Sequence, residues 1–120
     1  MAITLKKAKR RLSEKYGFDV IEESDLGKSN GDIVKGEVRP PSTIVIRKDL
    51  EATMKLIAIA HEAGHLIACK LSKEFLTGSA IKVETLAWLN GLSLAIGFRI
   101  LREYTNYWRI HLEKTTKHFR

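Results

Sequence analysis

The chain has 120 residues, 44% of them apolar and 29% charged, with a formal net charge of +7. That length carries one hydrophobic core rather than two, and the composition lies far from disordered or collagen-like sequences, so a single domain over residues 1–120 is expected. The lone cysteine, Cys69, excludes an intramolecular disulfide and points to a reducing, cytoplasmic setting, where its simplest role is that of a small buried apolar side chain.

In chain order, the opening MAITLKKAKRRL puts charges where a secretory leader needs an apolar run. Leu5, Ala8 and Leu12 instead recur at helical spacing, which predicts an amphipathic helix to Tyr16 stopped by Gly17. Residues 22–41 turn polar and rich in glycine, and read as loop around a short strand near 32–38. Thr43, Ile44, Val45, Ile46 and Arg47 form the best strand in the chain, because four β-branched residues follow the Pro40-Pro41 pair. Asp49 is the expected cap of a proline-free helix over residues 50–71, and Leu56, Ile57, Ala58, Ile59 and Ala60 are apolar on every side of it. A stretch apolar all round must be enclosed by protein. Residues 72–80 read as a connection, 83–100 as a second apolar helix, and 102–118 as a third with Tyr104, Tyr107, Trp108 and Leu112 on its apolar side. The apolar run at 85–98 is shorter than the roughly 20 residues a bilayer span requires and contains Asn90 and Gly91, so it reads as a buried helix and no membrane contact is expected. The expected fold is α+β and predominantly helical: a buried active-site helix on a second apolar helix, with a small two- or three-stranded sheet.

The enclosed helix carries His61-Glu62-Ala63-Gly64-His65, an HExxH pattern. Residues four apart on a helix differ by about 40° and about 6 Å along the axis, so both imidazoles leave one face and can share an ion. Zinc takes nitrogen ligands at about 2.0–2.1 Å and lowers the pKa of its bound water to about 7. Glu62 points about 100° away from His61, close enough to deprotonate that water without having to ligate the metal. Without a metal, burying these three polar side chains in an apolar helix would cost several kcal/mol, roughly the burial penalty of unsatisfied groups.

A third ligand must come from elsewhere. Cys69 lies about 12 Å along the axis from His61, which is too far to share one ion with both histidines. Glu84 is the preferred candidate, because it opens the next apolar helix after a connection long enough to reverse direction; His111 and Glu103 are the reserves. Ala60, Gly64 and Ala68 form a small-residue stripe beside the histidines, and Ala87, Gly91 and Ala95 form another in line with Glu84. Each glycine costs about 1 kcal/mol of helix propensity relative to alanine, so a close helix contact is expected to account for them. Tyr104, Tyr107 and His111 are the candidate donors to an oxyanion.

With those residues in view, the run STIVIRKDLEATMKLIAIAHEAGHLI resembles the metallopeptidase core of the ImmA/IrrE type, within the gluzincin class of HExxH zinc peptidases. The resemblance spans about residues 34–95. It implies His61, His65 and Glu84 as zinc ligands, Glu62 as the base, and a short sheet to whose edge an extended peptide adds as a strand; Thr43 to Arg47 is the segment expected there. It also implies a minimal metallopeptidase acting on a regulator such as a repressor or antitoxin in a phage or mobile element. Trp88 stands four residues after Glu84, where thermolysin-like enzymes place an aspartate that orients a histidine, so the support of the ligands comes from elsewhere or is weak.

The expected function is therefore a zinc endopeptidase cutting an extended protein segment. The alternative is a catalytically silent, zinc-stabilised binding module that uses its basic ends to hold a partner or nucleic acid. Those ends carry Lys6, Lys7, Lys9, Arg10, Arg11 and Lys15, then Arg99, Arg102, Arg109, Lys114, Lys117 and Arg120. No nucleic-acid motif or aromatic interleaving accompanies them, and a solvated helix face is the favoured reading.

Overall fold

The computed structural model describes residues 1–29, 32–71 and 80–118. Of the connection expected at 72–80, residues 72–79 lie outside the described residues, as does the side chain of Cys69, while Ala80 already begins a helix. Among the described residues, five helices and five short strands follow one another in the order α1 (Leu5–Tyr16), β1 (Asp19–Glu23), β2 (Lys28–Ser29), β3 (Asp32–Ile33), β4 (Gly36–Arg39), β5 (Thr43–Arg47), α2 (Ala52–Leu71), α3 (Ala80–Asn90), α4 (Leu92–Gly97) and α5 (Leu101–His118). The architecture is α+β and predominantly helical. Among the described residues, no helix is long and apolar enough to cross a membrane.

Helix α1 ends where Gly17 adopts a left-handed conformation (φ 71°), and the amides of Gly17 and Phe18 donate back to Ser13 and Leu12. Its Ala8 and Leu12 are fully buried while Lys6, Lys7, Arg10 and Arg11 face solvent. Arg11 Nη1 donates to the Gly97 carbonyl at 2.8 Å, tying this basic helix to the end of α4.

The main sheet has the order β1-β5-β4, with β1 parallel and β4 antiparallel to β5. Two expectations are corrected here. Strand β1 was not foreseen, and Thr43–Arg47 is the central strand, with both of its edges already paired. Ile44, Val45 and Ile46 are all fully buried, as a continuous apolar run requires of a strand covered on both faces. The register places Val20, Ile44 and Val38 in one row and Glu22, Ile46 and Gly36 in the next. This face meets the helices: Glu22 takes ion pairs from Lys9 of α1 at 3.4 Å and Lys55 of α2 at 3.3 Å, and these hold its carboxyl below the ordinary carboxylate range even though burial opposes that.

Helix α2 starts two residues later than expected, and Glu51 caps it by accepting from the amide of Thr53 at 3.2 Å. Asp49, the expected cap, accepts instead from Arg47 Nε at 2.8 Å. The run from Leu56 to Ala60 is buried throughout, as its all-round apolar character demands. The small-residue stripes meet. A Cβ on Gly64 would collide with the Ala87 carbonyl oxygen and lie 3.0 Å from the Gly91 amide nitrogen, and a Cβ on Gly91 would collide with the Ala60 carbonyl. Backbone thus lies against backbone along the α2–α3 contact.

The apolar run expected as one helix over 83–100 is divided at Gly91 into α3 and α4. A continuous helix would commit the Trp88 carbonyl to the amide of Leu92; here it accepts the hydroxyl of buried Tyr104 at 2.6 Å. Arg99, at φ 61°, then turns the chain into α5, with the Ile100 amide donating to the Ala95 carbonyl at 2.9 Å. On α5, Tyr104 is fully buried and Tyr107 and Trp108 pack against the core, whereas Leu112 is 43% exposed and is not part of the apolar side.

Candidate metal centre

The i, i+4 spacing on α2 brings the His61 and His65 rings to a centroid distance of 4.8 Å, edge to face. Because the glycine contact presses α3 against α2, Glu84 reaches across to both. Its Oε1 lies 3.0 Å from His65 Nε2 and its Oε2 lies 3.1 Å from His61 Nε2. One donor atom from each of the three residues lies within 4.8 Å of the other two. Two imidazole nitrogens and a carboxylate, from two closely packed helices, can hold a metal ion, and such donors are of the kind that zinc accepts.

Glu62 completes the group without joining the three donors. Its Oε1 stands 3.8 Å from His61 Nε2 and 3.9 Å from His65 Nε2, and the residue is 6% exposed. Strand β4 covers it: a Cβ on Gly36 would lie 3.1 Å from Glu62 Cγ, so the missing side chain lets the strand backbone approach the carboxyl. Burial, assisted by the carboxylates of Glu84 and Glu37 and opposed by His65, pushes the Glu62 pKa up to about 7.

The imidazoles respond to the same surroundings in opposite directions. Burial lowers the pKa of His61 despite its contact with Glu84. Burial also opposes protonation of His65, but the hydrogen bond to Glu84 and the charges of Glu62 and Glu84 outweigh it and raise the value. Glu84 sits far below the ordinary carboxylate range, because hydrogen bonds from His111, His61 and His65 overcome its burial.

His111, a reserve ligand on sequence grounds, lies with Nε2 3.2 Å from Glu84 Oε2, outside the three-donor group but in position to orient the carboxylate. Glu103, the other reserve, is exposed in the first turn of α5 and is not part of the centre. Tyr104 is not an oxyanion donor, since its hydroxyl is spent on the Trp88 carbonyl. Tyr107 lies beneath Lys35 Nζ, 5.4 Å from the ring centroid.

Sequence reasoning missed two contributors. Trp88 stacks on His61 with ring centroids 4.0 Å apart, and its spacing of four from Glu84 on α3 was the available signal. Gly36 gave none, because its partner Glu62 is distant in the chain. Comparison with family models, curated proteins and solved structures finds no match.

The Glu62 environment gives a pH prediction for the metal-free protein. A carboxyl whose pKa in the fold is above its ordinary 4.5 stabilises the fold fully below that value, and the contribution disappears as pH rises through about 7. Measured against Glu62→Gln, which cannot ionise, the wild type should lose roughly 3 kcal/mol of relative unfolding free energy between pH 4 and pH 8. Urea denaturation at a series of pH values measures it; parallel curves for the two proteins would contradict the burial assigned to Glu62.

Proposed function

We propose that this chain is a zinc-dependent endopeptidase that cuts an extended protein segment. The observation that carries the reading is the convergence of His61, His65 and Glu84, with the buried carboxyl of Glu62 within 4 Å of both imidazoles but outside the three-donor group. Three protein ligands leave a fourth position open, which distinguishes catalytic from structural zinc sites. A zinc ion bound there supplies Lewis-acid polarisation of the scissile carbonyl and acidifies the attacking water.

The remaining steps belong to the chain's own residues. Glu62, with its carboxyl within 4 Å of both imidazole nitrogens, takes a proton from the attacking water and passes it to the leaving amine. The imidazole of His111, with Nε2 3.2 Å from Glu84 Oε2, lies against that carboxylate and limits its direction. The substrate adds along β4, which has β5 on one side and no strand on the other among the described residues. Gly36 brings that strand against Glu62, so a peptide paired to the open edge passes close to the base. Edge pairing recognises backbone rather than side chains, and a protein region without fixed structure is the substrate class it suits.

The resemblance of residues 34–95 to the ImmA/IrrE type supports the same reading and suggests a regulatory protein, such as a repressor or antitoxin, as target. Incubation of the zinc-loaded chain with an unstructured polypeptide such as reduced casein tests the activity. Cleavage should appear, stop on chelation and return with one equivalent of zinc. A zinc-loaded chain that cuts no unstructured polypeptide and no candidate regulator would favour the silent binding module.

A further inference from the structure

Trp88 lies one turn beyond Glu84 on α3 and covers the imidazole of His61, with planes within 29° of parallel and centroids 4.0 Å apart. It is itself held firmly. It is 2% exposed, its carbonyl accepts the Tyr104 hydroxyl at 2.6 Å, and its ring lies 5.0 Å from that of Tyr104 and 6.3 Å from that of Trp108, parallel to the latter within 6°. On the other side of the contact, His61 Nδ1 is buried and has no hydrogen-bond partner among the described residues. A histidine that binds metal through Nε2 ordinarily has its ring direction and tautomer fixed by an acceptor at Nδ1. Here that means is missing and a flat aromatic surface is present.

We infer that Trp88 is the positioning residue for His61: stacking on the indole, rather than an acceptor at Nδ1, holds the imidazole with Nε2 directed at the centre. Rotation of His61 about its Cβ–Cγ bond would lift the ring off the indole or drive its edge into it, in an interior too closely packed to yield. Tyr104 and Trp108 of α5, whose rings brace Trp88, therefore support the ligand through it. Since Trp88 and Glu84 ride on one helix, the same docking event that delivers the carboxylate also fixes the first histidine.

This inference rests on the reading of His61 as a metal ligand, so the wild type is measured first. Zinc affinity by chelator competition and histidine NMR of the zinc-loaded full chain are the readouts. In the wild type, the carbon-bound ring protons of His61 should be shifted upfield by the indole, and its Nδ1 proton should lack the downfield position of an imidazole bound to a carboxylate. Trp88→Phe, which keeps a flat ring, should bind zinc within about threefold of wild type, while Trp88→Leu should bind roughly 10–100-fold more weakly with an unchanged far-ultraviolet spectrum. A merely structural role would lower stability in both variants and leave the affinity of the folded fraction unchanged, and that result overturns the inference. If Trp88→Leu does not fold, the wild-type spectrum decides alone: a hydrogen-bonded Nδ1 proton, or ring protons without the upfield shift, overturns it. A wild type that takes up no zinc removes the metal reading and this inference with it, whereas zinc uptake with normal affinity in folded Trp88→Leu removes only the inference.

Discussion

Replacement of Glu62 by glutamine should leave zinc binding stoichiometric and should lower kcat/KM for peptide hydrolysis by about 10²–10⁴-fold, the usual contribution of a positioned general base. Glutamine keeps the volume and one hydrogen-bonding oxygen but cannot accept the proton of the attacking water. The separation of the two effects follows from the geometry. His61, His65 and Glu84 have donor atoms within 4.8 Å of one another, whereas Glu62 stands 3.8 and 3.9 Å from the imidazole nitrogens and is not one of the three donors. Stopped assays with a quenched-fluorescence peptide, alongside zinc determination on the same preparation, measure both quantities. Equal loss of metal and activity would make Glu62 a ligand; retention of full activity would remove it from the chemistry.

The largest structural effect is expected at Gly64. Gly64→Ala places a methyl group in collision with the Ala87 carbonyl oxygen, 2.8 Å from its carbon and 3.0 Å from the Gly91 nitrogen. These are backbone atoms within a helix and cannot swing aside, so α2 and α3 must separate. The gain of about 1 kcal/mol in helix propensity acts the other way, and overpacking of about 1–3 kcal/mol or more outweighs it. Because Glu84 sits on α3 one turn before Ala87, separation moves the carboxylate away from the histidines, and zinc affinity should fall by at least tenfold. Gly97→Ala is the matched control. Its nearest contact would be Arg11 Nη1 at 3.9 Å, an ordinary van der Waals distance, and stability should stay within about 1 kcal/mol of wild type. Urea denaturation and zinc competition on the two variants distinguish a specific helix contact from a general intolerance of alanine.

Much of the centre was legible because it is local. HExxH places three of its members within one turn of one helix, and the enclosed apolar run around them excluded a surface setting. Glu84 could be reached through the glycine stripes, whose propensity cost demanded a close contact that the structure contains. What sequence reasoning missed depends on partners distant in the chain. Asp19–Glu23 offers only Val20 and Ile21 as a strand signal, and it becomes a strand because β5 offers a parallel edge and because Glu22 meets Lys9 and Lys55 on two helices. The division between α3 and α4 falls at Asn90-Gly91, a local turn signal outweighed by the apolar residues around it, and it accompanies the hydroxyl of Tyr104, sixteen residues from the Trp88 carbonyl it reaches. The edge role expected of Thr43–Arg47 failed on a signal that was present. Ile44, Val45 and Ile46 do not alternate with polar residues, which is the pattern of a central strand, and among the described residues the sheet's edges are β1 and β4.

The most direct test of the metal centre is elemental analysis of the chain purified without added metal and then dialysed against micromolar zinc. Wild type and Glu62→Gln should each retain one zinc ion per chain, while His61→Ala and His65→Ala, still folded by circular dichroism, should retain almost none. A wild type that holds no zinc, or a stoichiometry indifferent to loss of either histidine, would contradict the centre and the hydrolytic function built on it.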